Sequence, residues 1–181
     1  MRYIIAILRR FSSIIYLSFI KIIKLNKFEF SLIPKVSVST KFSIIKGKII
    51  LGKGVGTRKN VEFRVSDGGN ILIGSKCFFN NGCLICCKDK IVIGDSTQIG
   101  PNVMIFDHDH DFRQMNGLAS KKFKCSQVII GNNVWIGANC VILRGTVIGD
   151  NCVVAAGTIL SGVYDKNKLI VQKKDTEVKD I

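Results

Sequence analysis

Between Phe106 and Gln127 the chain gathers both of its histidines, His108 and His110, interleaved with Asp107, Asp109 and Asp111 and followed by Lys121, Lys122 and Lys124. Imidazole is the side chain whose ordinary titration lies nearest neutral pH. A neutral histidine here can therefore take a proton from a hydroxyl as that hydroxyl attacks an electrophile. A carboxylate beside it would orient the ring and favour its charged form after transfer, and Asp107, Asp109 and Asp111 are all candidates for that part. His108 and His110 are expected to differ in which of them lies on the inward side of a strand end. The other chemically suggestive cluster is Cys83-x-x-Cys86 with Cys87 adjacent. It lacks a second cysteine pair at zinc-ligand spacing and falls in a strand-like run, so neither metal nor redox work is expected there.

The elements that position these residues follow a beat of six. Ile130, Ile136, Ile142, Ile148, Val154 and Leu160 are aliphatic at an unbroken six-residue interval, with Gly131, Gly137 and Gly149 beside them. Upstream, Ile93, Ile99 and Ile105 keep the beat, as do Ile73, Phe79 and Ile85, and two residues near Lys88 to Lys90 offset one block from the other. A helix repeats at 3.6 residues and an ordinary strand at 2, so neither explains a glycine-tagged aliphatic every six. Three short strands per turn of a triangular coil do: each aliphatic points to the axis, small residues sit at the corners, and coils stack as parallel strands ~4.8 Å apart. The Leu51-Gly52 pair marks an earlier, less regular coil. The beat fails between Ile105 and Val128, so the histidines ride on an excursion from the coil, and long interruptions of compact folds are usually functional or disordered.

Composition supports one β-rich domain with appendages. The 181 residues are 47% apolar, with 17 glycines and only 2 prolines, which argues against disorder or a collagen-like chain. The formal charge of +14 is uneven, since residues 1–48 hold ten Lys or Arg against the single acid Glu29. From Arg2 to Lys24, Ile4, Leu8, Phe11, Ile15, Phe19 and Ile22 follow helical spacing while Arg2, Arg9, Arg10, Ser13 and Lys24 gather opposite, so an amphipathic helix is expected. Arg9, Arg10 and Lys21 break any run approaching the ~20 apolar residues of a bilayer crossing. The helix is expected either to meet anionic headgroups through residues 1–24 or to pack on protein, its own or a neighbouring subunit's. Pro34 is expected to end the segment. Nucleic acid is not expected as a partner, because no recognition motif accompanies the charge. An odd count of seven cysteines and the lack of a small-residue cleavage site point to reduced thiols in the cytoplasm, with peripheral contact at the inner membrane face as a further expectation.

At "IGDSTQIGPNVMI", "DHDHDF" and "IIGNNVWIGANCVILRGTVIGDNCVVAAGTIL", about residues 70 to 165, the sequence resembles the hexapeptide-repeat acyltransferases, in particular O-acetyltransferases of the galactoside, maltose and surface-polysaccharide kind. The resemblance implies an all-β fold, a left-handed parallel β-helix with the N-terminal helix and a protruding loop at about 106–127. It also implies a homotrimer with active sites between subunits. The expected division is a basic segment at 1–35, the coil at 36–170 and a tail at 171–181. The activity implied is transfer of an acetyl group from acetyl-CoA to a sugar hydroxyl, without a metal, on a surface-polysaccharide or lipid-linked precursor. The likeness puts the general base at His110, with His108 second, and an acceptor-holding asparagine at Asn80. Asp107, Asp109 and Trp135 join the acceptor side, Trp135 lying one residue further from His110 than in the galactoside type. A backbone N–H at Ala138 would serve the oxyanion. The pantetheine arm would run along Ala138, Ala156 and Ser161, with its phosphates met by Lys168, Lys173 and Lys174. Two departures stand out: Gly162 replaces a lysine frequent in relatives, and "VQKKDTEVK" replaces the usual G-x-P-A-K ending.

Rival readings have weaker support. Zinc hydratases of the same prism use three histidines, and this chain has two. Asp107-x-Asp109-x-Asp111 resembles a nucleotide-sugar and metal motif, but the alternating β-α pattern of such a transferase is missing. An amino-sugar N-acetyltransferase and a non-catalytic β-helix scaffold remain the alternatives.

Overall fold

A computed structural model describes residues 2–31 and 33–173, and within the first helix the side chains from Ile7 onward apart from that of Arg9. The chain winds as a left-handed parallel β-helix. Seven parallel strands stack on its first face, from Phe28–Phe30 to Val163–Tyr164. Six stack on the second, from Gly56–Thr57 to Leu169–Ile170, and six on the third, from Lys41–Ile44 to Ile159–Leu160. The chain visits first, second and third faces in turn, so every coil has three corners. The six-residue ladder is the core: Ile93, Ile99, Ile105, Ile130, Ile136, Ile142, Ile148 and Val154 are all buried.

The upper coils are regular and the lower ones wider. Register pairs Ile130 with Ile148 one coil on, but Ile49 with Ile71 and Ile71 with Ile91, so the lower turns carry two to four more residues. Part of this surplus is the two-residue step expected near Lys88: Lys88 and Asp89 form a corner between the strands Leu84–Cys87 and Lys90–Ile93. A wider bore needs larger filling, and Phe28, Phe42, Phe63 and Phe79 supply it as a column with ring centroids 4.8, 5.4 and 5.1 Å apart in succession. Cys77, Cys83, Cys140 and Cys152 are buried near the corners as small apolar residues, and Cys77 and Cys83 are driven up to about 11 by burial, which leaves them as inert thiols. At Gly100 the next coil passes so close that a Cβ would stand 2.8 Å from the Ala138 nitrogen, which only glycine avoids.

The helix α1 spans Arg2–Lys24 and lies across the lower end of the coil. It stops well before Pro34, because Leu25 takes a φ of 44° and the chain turns at once into the strand Phe28–Phe30, which pairs with Ile49–Leu51. Leu17 is fully buried against the coil end. Ser13 Oγ donates to the Val36 carbonyl at 2.6 Å, the Tyr16 hydroxyl donates to the Thr40 carbonyl, and the Tyr16 ring tilts on Phe42. Among the described residues no helix is long and apolar enough to cross a membrane.

With so thin a core, single deletions are felt. Ile136→Ala should cost about 2–5 kcal/mol in urea unfolding, whereas Val163→Ala, on an outer face and 73% exposed, should change stability by less than about 0.5 kcal/mol. Equal costs at the two positions would contradict an axial core.

Candidate functional site

The excursion leaves the corner between the third and first faces after the strand Met104–Phe106. It is an antiparallel ribbon, His108–His110 paired with Phe123–Cys125, closed by a short 3-10 turn at Gly117–Ser120. His108 stands opposite Cys125, Asp109 opposite Lys124 and His110 opposite Phe123. Residues two apart on a strand share a face. The two histidines therefore lie on one side of the ribbon. Both rings pack on Phe123, with centroids 5.5 Å from His108 and 4.5 Å from His110. What separates them is depth: the His108 side chain is 11% exposed, and His110 is open to solvent.

Asp107 anchors the ribbon. Its carboxylate is completely buried and accepts hydrogen bonds from the backbone nitrogens of Lys88 and Asp89, the latter at 2.7 Å, and from the Cys87 thiol. It also faces His108 Nδ1 at 2.8 Å. Burial alone would raise the Asp107 pKa, but the bonds from His108, Asp89, Lys88 and Cys87 outweigh it and hold the carboxyl below its ordinary 3.8. Burial would likewise lower His108, and again partners win: hydrogen bonds and charge from Asp107 and Cys86 lift it from 6.5 to about 9. His108 is thus an imidazolium at neutral pH.

The other two acids are engaged on the far side of the ribbon. Asp109 pairs with Arg144 of the next coil at 2.5 Å, so it ties the ribbon upward and does not face the histidines. Asp111 takes a 2.5 Å hydrogen bond from Gln114 and lies 3.3 Å from Lys124 Nζ, which together hold it below the usual carboxylate range.

The remaining expected residues lie elsewhere on the prism. Asn80 follows the strand Phe78–Phe79 at the corner between second and third faces, where its Oδ1 caps the Asn81 nitrogen at 2.9 Å. Ala138 and Ala156 occupy the same corner in successive coils. Trp135, 58% exposed, stands on the second face between Gln98 and Val153, and that face lies opposite the histidine corner. Ser161 sits at the third-to-first corner, while Lys168 precedes the strand Leu169–Ile170. Lys173 is exposed, and Lys174 lies outside the described residues. Within one chain, then, His108 and His110 are brought together, as are Ala138 and Ala156, but the two pairs occupy different edges.

The corner of Ala138 has a property sequence reading missed. At the first-to-second corner each coil's nitrogen is capped by an acid or amide from the next: Ser75 by Asp95, Asp95 by Asn132, Asn132 by Asp150. At the second-to-third corner Lys59 is capped by Asn81, then Pro101 offers no N–H, and beyond it the Ala138 and Ala156 nitrogens have no acceptor among the described residues. The signal was present in "GPN", "GAN" and "AAG", corners without a capping side chain. Among the described residues no group of three or more His, Cys, Asp or Glu could hold a metal ion.

Comparison with known proteins agrees with this architecture. Residues 127–161 match the model described as "Hexapeptide repeat of succinyl-transferase". Nodulation protein L of Rhizobium meliloti is 38% identical over 92 residues, 51% of this chain and 50% of that protein. Galactoside O-acetyltransferase of Escherichia coli is 34% identical over 123 residues, 65% of this chain and 57% of that protein. The chain thus spans about half the length of the curated relatives it matches. Among solved structures, a variant of AntD, an N-acyltransferase from Bacillus cereus in complex with dTDP and coenzyme A, superposes with a TM-score of 0.68 at 18% identity, covering 90% of this chain and 89% of that one. Residues 127–161 thus carry the hexapeptide repeat, and the fold of the coil is that of a left-handed β-helix.

The Asp107–His108 pair sets a pH window for the ribbon. His108 is raised, so its contribution to stability is complete below pH 6.5 and lost as pH rises through about 9. Asp107 is lowered, so its contribution is present above 3.8 and lost as pH falls through its folded value. His108→Gln should flatten the decline in melting temperature between pH 7 and pH 10. Parallel wild-type and variant curves across that range would show the pair to be unlinked to stability.

Proposed function

We propose that this protein is an acetyl-CoA-dependent O-acetyltransferase acting on a sugar hydroxyl, with His110 as general base. The observation that carries the reading is the division of labour between the two histidines. His108, clamped to buried Asp107 and charged at neutral pH, has no free site for a proton, whereas His110 is exposed on the same face with its ring seated on Phe123. In the reaction His110 takes the acceptor hydroxyl proton, the oxygen attacks the thioester carbonyl, and coenzyme A leaves as the thiol after the proton is returned. The nitrogens of Ala138 and Ala156, which have no acceptor among the described residues, are suited to the oxyanion and to the amide carbonyls of an extended pantetheine arm, since they need no reorganisation to donate. Asn80 and Trp135 serve the acceptor, and Lys168 or Lys173 the cofactor phosphates.

Because His110 and the Ala138 corner occupy different edges of one prism, the site is completed by a second copy, as in a homotrimer whose subunits pair one chain's ribbon with its neighbour's second-to-third corner. A saccharide acceptor accords with the galactoside O-acetyltransferase match, and a lipid-linked or surface-polysaccharide precursor is the natural member of that class for a chain with so basic a lower end.

Release of free thiol from acetyl-CoA, measured with a panel of saccharides, should be acceptor-dependent and should fall about 10²- to 10⁴-fold in His110→Ala. A full rate in that variant would transfer the base role elsewhere. Turnover confined to amino-sugar acceptors would make the enzyme an N-acetyltransferase, and failure of the wild type to bind coenzyme A at all would leave a scaffold.

A further inference from the structure

An amphipathic helix at the end of a coil ordinarily buries its apolar side on the coil, and α1 does the reverse. The side seated on the protein is a narrow strip of Ser13, Tyr16, Leu17 and Ile20, two of the four also holding on through hydroxyls. The broad apolar side faces away: Ile7, Leu8, Phe11, Ile15, Phe19 and Ile22 are each between 55% and 72% exposed. At 100° per residue these six side chains occupy one continuous arc. Arg10 and Lys21 border that arc beside Ile14, and both are exposed. Leu25, just past the helix, and Ile45, whose carbonyl accepts from Lys27 Nζ at 3.2 Å, are exposed as well, as are the cations Lys27, Lys41 and Lys46.

We infer that this face docks flat on an anionic membrane surface, with α1 lying in the interface plane. Charge selects that occupant. Residues 1–48 carry ten cations to one acid, and Glu29, the one acid, is already paired with Lys48 at 2.6 Å. A second copy of this chain offers no complement, because the chain is +14 overall. Four of its acids, Glu62, Asp67, Asp109 and Asp111, are also paired with its own cations. An anionic bilayer answers both features, taking the aromatic and aliphatic arc into the acyl boundary and the bordering Arg and Lys at the headgroups. The coil then stands upright on the membrane with the histidine ribbon a few coils above the surface, within reach of a saccharide carried on a lipid. That orientation deepens the acceptor class proposed above, but docking itself does not depend on catalysis.

The test is flotation of the full-length protein with vesicles of phosphatidylcholine and phosphatidylglycerol, compared with phosphatidylcholine alone and without acetyl-CoA or acceptor. Deleting α1 would expose the coil end that Leu17 covers, so the variant is Phe11→Glu with Phe19→Glu, both on the exposed face, checked by an unchanged melting temperature. Wild type should float with the anionic vesicles, at least tenfold less with neutral ones, and the double variant should lose at least tenfold of its bound fraction. Equal flotation of wild type and variant would overturn the inference. So would a wild type that stays off anionic vesicles, including one that assembles through this face in a way the double variant disperses. Acetyl transfer to a soluble saccharide by the double variant at the wild-type rate would show that docking can fail or succeed separately from the proposed chemistry.

Discussion

A triangular coil of this bore has a core one side chain deep, so no turn can bury its aliphatics except against those above and below. Every other feature depends on that stacking. It fixes the inward positions at six-residue intervals, requires the corners to be made by small residues or by residues in left-handed conformation, and leaves the coil ends as the places where the core would meet water. The lower end is closed by Leu17 and the Phe28–Phe42 pair, which explains why α1 uses so slight a contact strip: Leu17, the half-buried Tyr16 and Ile20 and two hydroxyl groups suffice to cover a mouth already filled with aromatic rings.

The ribbon is held by the opposite physics. Its outer strands have little apolar surface to bury, and its place is set by one fully buried carboxylate that collects two backbone N–H groups, a thiol and an imidazole. A buried charge is tolerable only when its hydrogen-bonding capacity is met, and Asp107 meets it by capping the preceding corner at Lys88 and Asp89. The extra residues of that lower coil are therefore not mere slack: they form the corner that receives the carboxylate. Specification of the ribbon is electrostatic where specification of the prism is hydrophobic.

That difference accounts for what could be read in advance. The ladder from Ile130 to Leu160 was legible because burial imposes a strict period on residue type. The excursion was legible as a break in that period. Its pairing was not, because His108–His110 and Phe123–Cys125 are short, polar strands whose partner is chosen by Asp107 and Arg144, neither of which leaves a periodic trace. Nor did the sequence indicate which side of α1 would touch protein. Helical spacing separates the two sides, and only the hydroxyls of Ser13 and Tyr16 meeting the Val36 and Thr40 carbonyls decide between them. The wide spread of Asn80, Trp135 and Ala138 from the histidines is likewise invisible in linear spacing, since residues thirty apart can share a corner or lie across the prism.

Because each corner residue stands above its counterpart in the coil below, the prism behaves as a graduated spacer. Adding or removing one turn beneath Asp107 would move the imidazoles along the axis by a single strand separation, ~4.8 Å, while keeping them on the same edge. Reach and chemistry are consequently adjustable by separate means: turn number sets how far the ribbon stands from the α1 end, and side-chain exchange within the ribbon sets what it does there.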